Sequence, residues 1–294
     1  MIASILMIMA PILISAIGGM ICERSGVVNI ALEGLMSIGA MTAAAVHVLL
    51  ESGTGFSVSL ALIAGALAGC LFSLIHVWAA LYLRADQVIS GTGINLSANG
   101  ITVFCCQLLF HSERTPSPKL GMLPGPGGIY PTAWIALAVL GGAWFFLYKR
   151  PWGLRLRACG EHPGAAAAAG ADVIKIRRAA ILISGALAGL AGACIVLTQD
   201  IQFTVNTVNG KGFIALAAVS FGRWMPLGVF GASFLFGASS ALAVNITNLA
   251  ILRFLPSDFF NALPYAVTLL TLVVFGGKDY APRAAGQPYD PGKS

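Results

Sequence analysis

The sequence predicts an all-α, polytopic membrane helix bundle, and three observations carry that prediction. Of 294 residues, 57% are hydrophobic and only 10% are charged, against roughly 25% charged in a soluble globule. Uncharged stretches recur along the whole chain at the length that spans a bilayer as a helix, about 20 residues. Seven of the 17 basic residues crowd into one interruption, residues 149–178, and Lys and Arg beside span ends mark the cytoplasmic face. Seven bases less Glu161 and Asp172 leave +5 of the net +6 in that segment, so the basicity reports topology rather than nucleic-acid binding.

The first span, residues 1–22, lacks the basic start of a cleaved signal peptide and is kept as a membrane helix. The second, 27–50, carries one carboxylate, Glu33; residues 52–83, 87–109, 120–148, 179–199, 224–252 and 259–277 complete eight strong spans. A ninth candidate, 212–221, has ten uncharged residues between Lys211 and Arg223, about 15 Å of helix. Two readings of it stay open. It crosses fully with help from flanking residues, or it re-enters and lines a cavity, where freed backbone groups find partners.

A cytoplasmic 149–178 loop puts Arg84 and residues 23–25 on the same side, and the N-terminus and the 111–131 loop outside. If 212–221 crosses, Arg223 and the 278–294 tail with Lys278, Arg283 and Lys293 lie inside as well, and the spans number about nine; a re-entrant segment moves the tail outside. Residues 1–294 thus form a single membrane domain. The outer loop, with five prolines and four glycines, suits an irregular surface where a partner or solute lands, or a plain spacer. Gly65 with Gly69, Gly185 with Gly189, and Ala188 with Gly192 place small residues four apart, which lets helix backbones approach closely.

Catalytic and metal-binding constellations are not visible. His47, His76, His111 and His162 are scattered, and Cys22, Cys70, Cys105, Cys106, Cys159 and Cys194 lack paired ligand spacing and read as small buried hydrophobes. The tail GQPYDPGKS has the wrong spacing for a phosphate loop and no helix to follow it; NGKG at 209–212 fails likewise, so no ATP site or other cofactor site is expected in this chain. In the basic loop, Pro163 suits a first helical turn, residues 165–169 are all alanine, and Gly170 is a stop. They predict a helix of about two turns, roughly 10 Å, either docking into a partner's groove or resting on lipid.

Glu33 is costly inside a bilayer. With Asn29 one turn earlier on the same predicted helix face, it either faces a solute cavity or caps a broken helix. Thr92, Asn95, Ser97 and Asn99 in the fourth span and Asn245 and Asn248 in the eighth are amides and hydroxyls that bind a polar solute or glue helices. Trp78, Phe104 and Phe213 could stack on a planar ring or simply pack.

Three stretches, ERSGVVNIALEG at 23–34, GLRLRACGEHPGAAAAAGADVIKIRRAAILISGALAGLAGA at 153–193 and KGFIALAAVSFGRWMPLG at 211–228, with RADQVISGTGIN at 84–95 and LPYAVTLLTL at 263–272, resemble the permease subunits of ATP-binding-cassette importers. The resemblance is to the branched-chain amino acid and ribose permease family, nucleoside and purine type. It implies that residues 161–171 are a coupling helix, with Glu161, His162, Pro163, Gly164, Ala167 and Gly170 docking into a cytoplasmic ATP-binding subunit that carries out ATP hydrolysis. It further implies a second homologous permease subunit, an extracytoplasmic solute-binding protein and residence in the cytoplasmic (inner) membrane. Asn29, Glu33, Thr92, Asn95, Asn99 and Phe213 are the candidate translocation pathway. The expected solute is a nucleoside, nucleobase or similar planar heterocycle, riboflavin included, and the rival reading is an ion-coupled secondary transporter in which Glu33 titrates. Two departures stand out. His162 occupies a position where the family commonly has Asn, which predicts a looser or pH-sensitive helix start, and the chain begins almost directly with its first span, so a helix that precedes it in wider relatives is expected to be missing.

Overall fold

The computed structural model describes residues 1–50, 56–118, 121–246 and 280–290. Its long elements there are helices: α1 (Ile2–Arg24), α2 (Leu32–Leu49), α3 (Phe56–Phe72), the short α4 (Leu74–Val77) with a π turn at Trp78–Tyr82, α5 (Gln87–Phe110), α6 (Pro131–Lys149), α7 (Pro151–Glu161), α8 (Pro163–Ala168), α9 (Val173–Ile195) with a π turn at Val196–Asp200, α10 (Lys211–Phe221) and α11 (Pro226–Ile246). Seven of these helical stretches are long and apolar enough to cross a membrane. This is a multi-pass helical membrane protein. The expected span 259–277, the end of 224–252, Asn248 and the side chain of Asn245 lie outside the described residues.

Helices α1, α2 and α9 form the centre, and α1 is enclosed from Ile8 to Glu23. A helix that is apolar on every face is stable only when surrounded, whether by protein or by lipid. Around this centre, α3, α5 and α6 turn Leu67, Leu71, Leu96, Phe104, Trp134 and Phe146 outward. The centre closes through glycine. A Cβ added to Gly39 would lie 2.3 Å from the Gly189 carbonyl oxygen, one on Gly69 2.3 Å from that of Gly185, and one on Gly192 1.9 Å from that of Met36. The small-residue stripes of α3 and α9 therefore meet at one seam, with Gly39 of α2 completing it.

Several boundaries differ from expectation for identifiable reasons. Residues 27–31 are not helical: after Gly26, at φ +91°, the chain runs irregularly until α2 starts at Leu32. Asn29 and Glu33 accordingly do not share a helix face. The third span is interrupted at Ser73, which packs so tightly on α9 that a Cβ on Gly185 would lie 2.4 Å from its Oγ. Helix α6 starts only at Pro131, because the prolines before it supply no amide donors. Helix α9 starts at Val173, earlier than expected, where Asp172 Oδ1 accepts from the Lys175 amide at 3.0 Å. Arg177 and Arg178 therefore ride on the helix rather than on a loop. Within the basic loop two helices form in place of one: Glu161 ends α7, and α8 covers only Pro163–Ala168.

One end of the bundle gathers the bases. There Arg24 Nε donates to the Trp224 carbonyl at 2.9 Å, and Trp224 Nε1 donates to the Glu23 carboxylate. The Arg223 guanidinium stacks on the Tyr280 ring, Arg84 pairs with Asp290, and the Ala284 amide donates to the Gly160 carbonyl. At the opposite end Gln199 Nε2 donates to the Met7 carbonyl near the start of α1. Between Gln199 and Trp224 the chain thus passes from one end of the bundle to the other, and α10 is its helical half.

Candidate functional site

The non-helical residues 25–31 enter the bundle beside α5 and α9, and their backbone groups must find partners there. The Val28 amide donates to Gln87 Oε1 at 2.7 Å, and the Val28 carbonyl lies 3.1 Å from His76 Nε2, whose Nδ1 meets Ser90 Oγ at 2.9 Å. The Ile30 carbonyl accepts from Asn95 Nδ2 at 2.9 Å, while Asn95 Oδ1 accepts from the Gly34 amide at 2.8 Å. Asn29 is fully buried. Its Nδ2 donates to Ser184 Oγ at 2.9 Å, and its Oδ1 accepts from the Ala31 amide at 3.1 Å. Asn29 and Asn95 therefore act here as stitches across a broken span. His76, Gln87 and Ser184 belong to no motif in the sequence; each is an isolated polar residue beside or within an apolar run, and that isolation is the signal the sequence offers for them.

Glu33 follows in the first turn of α2. The Gly210 amide donates to its Oε1 and the Gly212 amide to its Oε2, both at 2.7 Å. This is a carboxylate capping the N-terminus of α10, where free amides and the helix dipole favour negative charge. The turn before α10 aims those amides: Asn209 and Gly210 both have positive φ, 48° and 79°. Gly212 permits the approach, since a Cβ there would lie 2.6 Å from the Glu33 backbone nitrogen.

Around this cap lies a mixed surface. Phe213, at 50% exposure, follows Gly212 on α10. On α5, Thr92 and Asn99 are exposed on the helix face that also carries the half-buried Asn95. Thr92 Oγ1 turns back to the Val88 and Ile89 carbonyls. The structure thus brings Glu33, Asn95 and Phe213 together at the start of α2, extends the surface through Thr92 and Asn99, and places Asn29 behind it.

The second feature is the α7–α8 pair. His162 Nδ1 accepts from the Ala165 amide at a long 3.4 Å, so the cap exists and is weak. Gly170, at φ +82°, ends the turn, with the Ala171 amide returning to the Ala166 carbonyl at 3.0 Å. Ala166 is buried, and Pro163, Gly164 and Ala167 are half-buried; Ala165, Ala168, Ala169 and Gly170 form a small smooth face with Glu161 and His162 exposed beside it. At the base of α9, the hydrogen bond from the Lys175 amide and the one from its ammonium hold the Asp172 carboxyl below its ordinary range.

Residues 1–272 match the family described as branched-chain amino acid transport system, permease component. The chain belongs to this permease family. It is 41% identical over 300 residues to the guanosine ABC transporter permease protein NupQ of Bacillus subtilis, covering 97% of this chain and 94% of that protein. Against the nucleoside ABC transporter permease protein NupC of Lactococcus lactis the identity is 38%, covering 98% and 96%. A further guanosine permease protein of Bacillus subtilis, NupP, is 27% identical over 93% of this chain and 80% of its own length. Permeases of this type are membrane subunits and not catalysts.

Proposed function

We propose that this permease is the membrane subunit of an ATP-driven nucleoside importer in the cytoplasmic membrane. The observation that carries the proposal is similarity along nearly the whole chain to permeases named for guanosine and nucleosides. It favours nucleosides over riboflavin, for which these relatives give no support. Glu33 bonded to two backbone amides favours a structural carboxylate over a titrating one, and the ion-coupled reading is dropped with it.

In this reading the basic end is cytoplasmic, following the bias of Lys and Arg. The chain crosses nine times: α10 with the segment before it makes one crossing, and the tail lies at the basic end beside Gly160 and Arg84. The smooth face of α8 docks into a cytoplasmic ATP-binding subunit, which binds and hydrolyses the ATP. A second, homologous permease completes the pathway, and an external binding protein delivers solute over the 111–131 loop. That two guanosine permeases of one organism match at 41% and 27% fits a pair of unlike subunits, of which this chain resembles one more.

Transport then works as a bias between two bundle states. Nucleotide binding on the partner favours one of them, and α8 conveys that difference into α7 and α9. Nucleoside passes along the surface of Asn99, Thr92 and Phe213, beside the half-buried Asn95 that holds Ile30 and Gly34; the Asn99 amide matches base and ribose edges and the ring offers a stacking face. The test is Ala168→Glu, on the exposed face of α8, in membranes holding all subunits. Guanosine uptake should fall roughly tenfold or more with the complex intact, if docking loses about 1.4 kcal/mol or more. Unchanged uptake refutes the docking role of α8.

A further inference from the structure

The tail segment 280–290 belongs neither to the docking face of α8 nor to the solute surface, yet it makes specific bonds to several elements at the basic end. Its Ala284 amide donates to the Gly160 carbonyl at 2.9 Å, three residues before α8. Its Gln287 carbonyl accepts from Arg177 Nη1 at 3.0 Å. Its Asp290 carboxylate pairs with Arg84, in the turn between α4 and α5, at 2.9 Å. Tyr280 lies under the Arg223 guanidinium at 4.6 Å.

Arg177 is the hub. It is 1% exposed, and its Nε donates to the Ser25 carbonyl at 3.1 Å, at the start of the irregular stretch before α2. A Cβ on Gly26 would lie 2.6 Å from its Nη2, and that buried Nη2 has no acceptor among the described residues. The Tyr289 ring lies 6.0 Å from the guanidinium. The hydrogen-bond acceptors that hold this cation are thus main-chain carbonyls, with no carboxylate salt bridge to it among the described residues. Taking a cation out of water without a counter-charge is a poor source of stability. What the arrangement provides is registration: one side chain on α9 fixes the stretch leading to Glu33 and the tail together.

Gly160 itself sits against the end of α1, where a Cβ would lie 2.3 Å from the Arg24 carbonyl oxygen. Helix α7 thereby packs directly on the end of α1 and also on Gly26, whose amide nitrogen would lie 3.2 Å from that Cβ, but among the described residues no hydrogen bond makes a second tie from α7 to the irregular stretch. The tail supplies that second tie, from Gly160 through Ala284 and Gln287 to Arg177 and Ser25. It also reaches, through Arg84, the turn that leads to Gln87, which holds Val28. We propose that residues 284–290 are a transmission strap and Arg177 its positioning residue, carrying displacement of α8 into the broken start of the second span. The proposal rests on the importer reading.

The experiment uses the complete transporter in proteoliposomes, with radiolabelled guanosine as probe, comparing wild type, Arg177→Gln, Arg177→Lys and Ala284→Pro. Proline removes the one amide that bonds Gly160. Arg177→Gln and Ala284→Pro should leave ATP hydrolysis within about twofold while guanosine moved per ATP falls roughly fivefold, as coupling-network substitutions do. Arg177→Lys, which still donates to carbonyl oxygen, should recover most of that ratio. Amide hydrogen exchange in residues 25–34 should respond to nucleotide in the wild type and lose that response in the two uncoupled variants. Uptake and hydrolysis falling together in proportion to assembled complex, with nucleotide-responsive exchange retained, overturns the strap. Uptake by wild type without ATP overturns the importer reading instead, and the strap is then judged by exchange alone: unaltered exchange at residues 25–34 in Arg177→Gln and Ala284→Pro refutes it.

Discussion

Replacing Glu33 separates a helix cap from a titrating group. Its two carboxylate oxygens each accept a backbone amide at 2.7 Å, and a hydrogen bond to a charged group contributes about 1.5–3 kcal/mol. Loss of both in Glu33→Ala is worth roughly 2–4 kcal/mol once the side chain's partial exposure is discounted. Glu33→Gln keeps one acceptor oxygen and turns an NH2 toward the other amide, so about half that loss is expected, near 1–2 kcal/mol. For a chain of this size each kcal/mol moves Tm by about 2–4 °C. Thermal unfolding of the purified transporter should therefore rank wild type above Glu33→Gln above Glu33→Ala, with Ala lower by roughly 8 °C. Uptake should fall in Glu33→Ala because α10 loses its anchored start. An unchanged Tm for Glu33→Ala refutes the cap. So does a Glu33→Gln variant of normal stability whose uptake has lost its dependence on external pH, the behaviour of a proton carrier.

Further outcomes follow from the same geometry. Gly192→Ala must push α9 off α2 by about 1 Å, at a cost of roughly 1–3 kcal/mol, whereas Gly100→Ala, with nothing within 4 Å, should be neutral or stabilising; equal melting temperatures for the pair contradict the seam. Asn99→Leu should raise the KM for guanosine uptake by roughly fivefold, about 1 kcal/mol, with Tm unchanged, while Asn95→Leu, which strips partners from Gly34 and Ile30, should lower Tm; the reverse pattern exchanges their roles. Asp172, with its carboxyl held below the ordinary range, supports the start of α9 at neutral pH and loses that support only as pH falls through its lowered value. Spin-label mobility at the start of α9 should thus stay constant from about pH 7 to 5, and a rise in that window contradicts the cap.

The helical class and the main spans were legible because lipid imposes a length on apolar runs that composition alone displays. The glycine seam was legible for the same kind of reason, since Gly65, Gly69, Gly185 and Gly189 repeat at helical spacing. The break before α2 was not. Residues 27–31 read Val-Val-Asn-Ile-Ala, apolar enough for a span, and what denies them helix is the set of partners from Gln87, His76 and Asn95, distant in sequence. Glu33 was recognisable as an anomaly, and the sequence left open a cavity wall or a cap; the amides that answer it sit nearly 180 residues away at Gly210 and Gly212. Arg177 stands in the sequence as one more cation of the 149–178 segment, because its burial depends on α9 beginning at Val173 and on a tail whose composition carries no helical period.

The stitched stretch before α2 also bears on how the chain is made. A regular helix satisfies its own backbone and can enter the bilayer as soon as it leaves the ribosome, whereas residues 25–31 depend on Gln87 and Asn95, 59 and 65 residues later, and on Ser184, 155 later. Until α5 and α9 are synthesised, that stretch has unsatisfied amides and carbonyls that hydrocarbon will not tolerate. The second segment must therefore wait at the translocon or the interface, or insert first as a plain helix and unwind when its partners arrive; by either route its final form is reached only after α5 and α9 are in place.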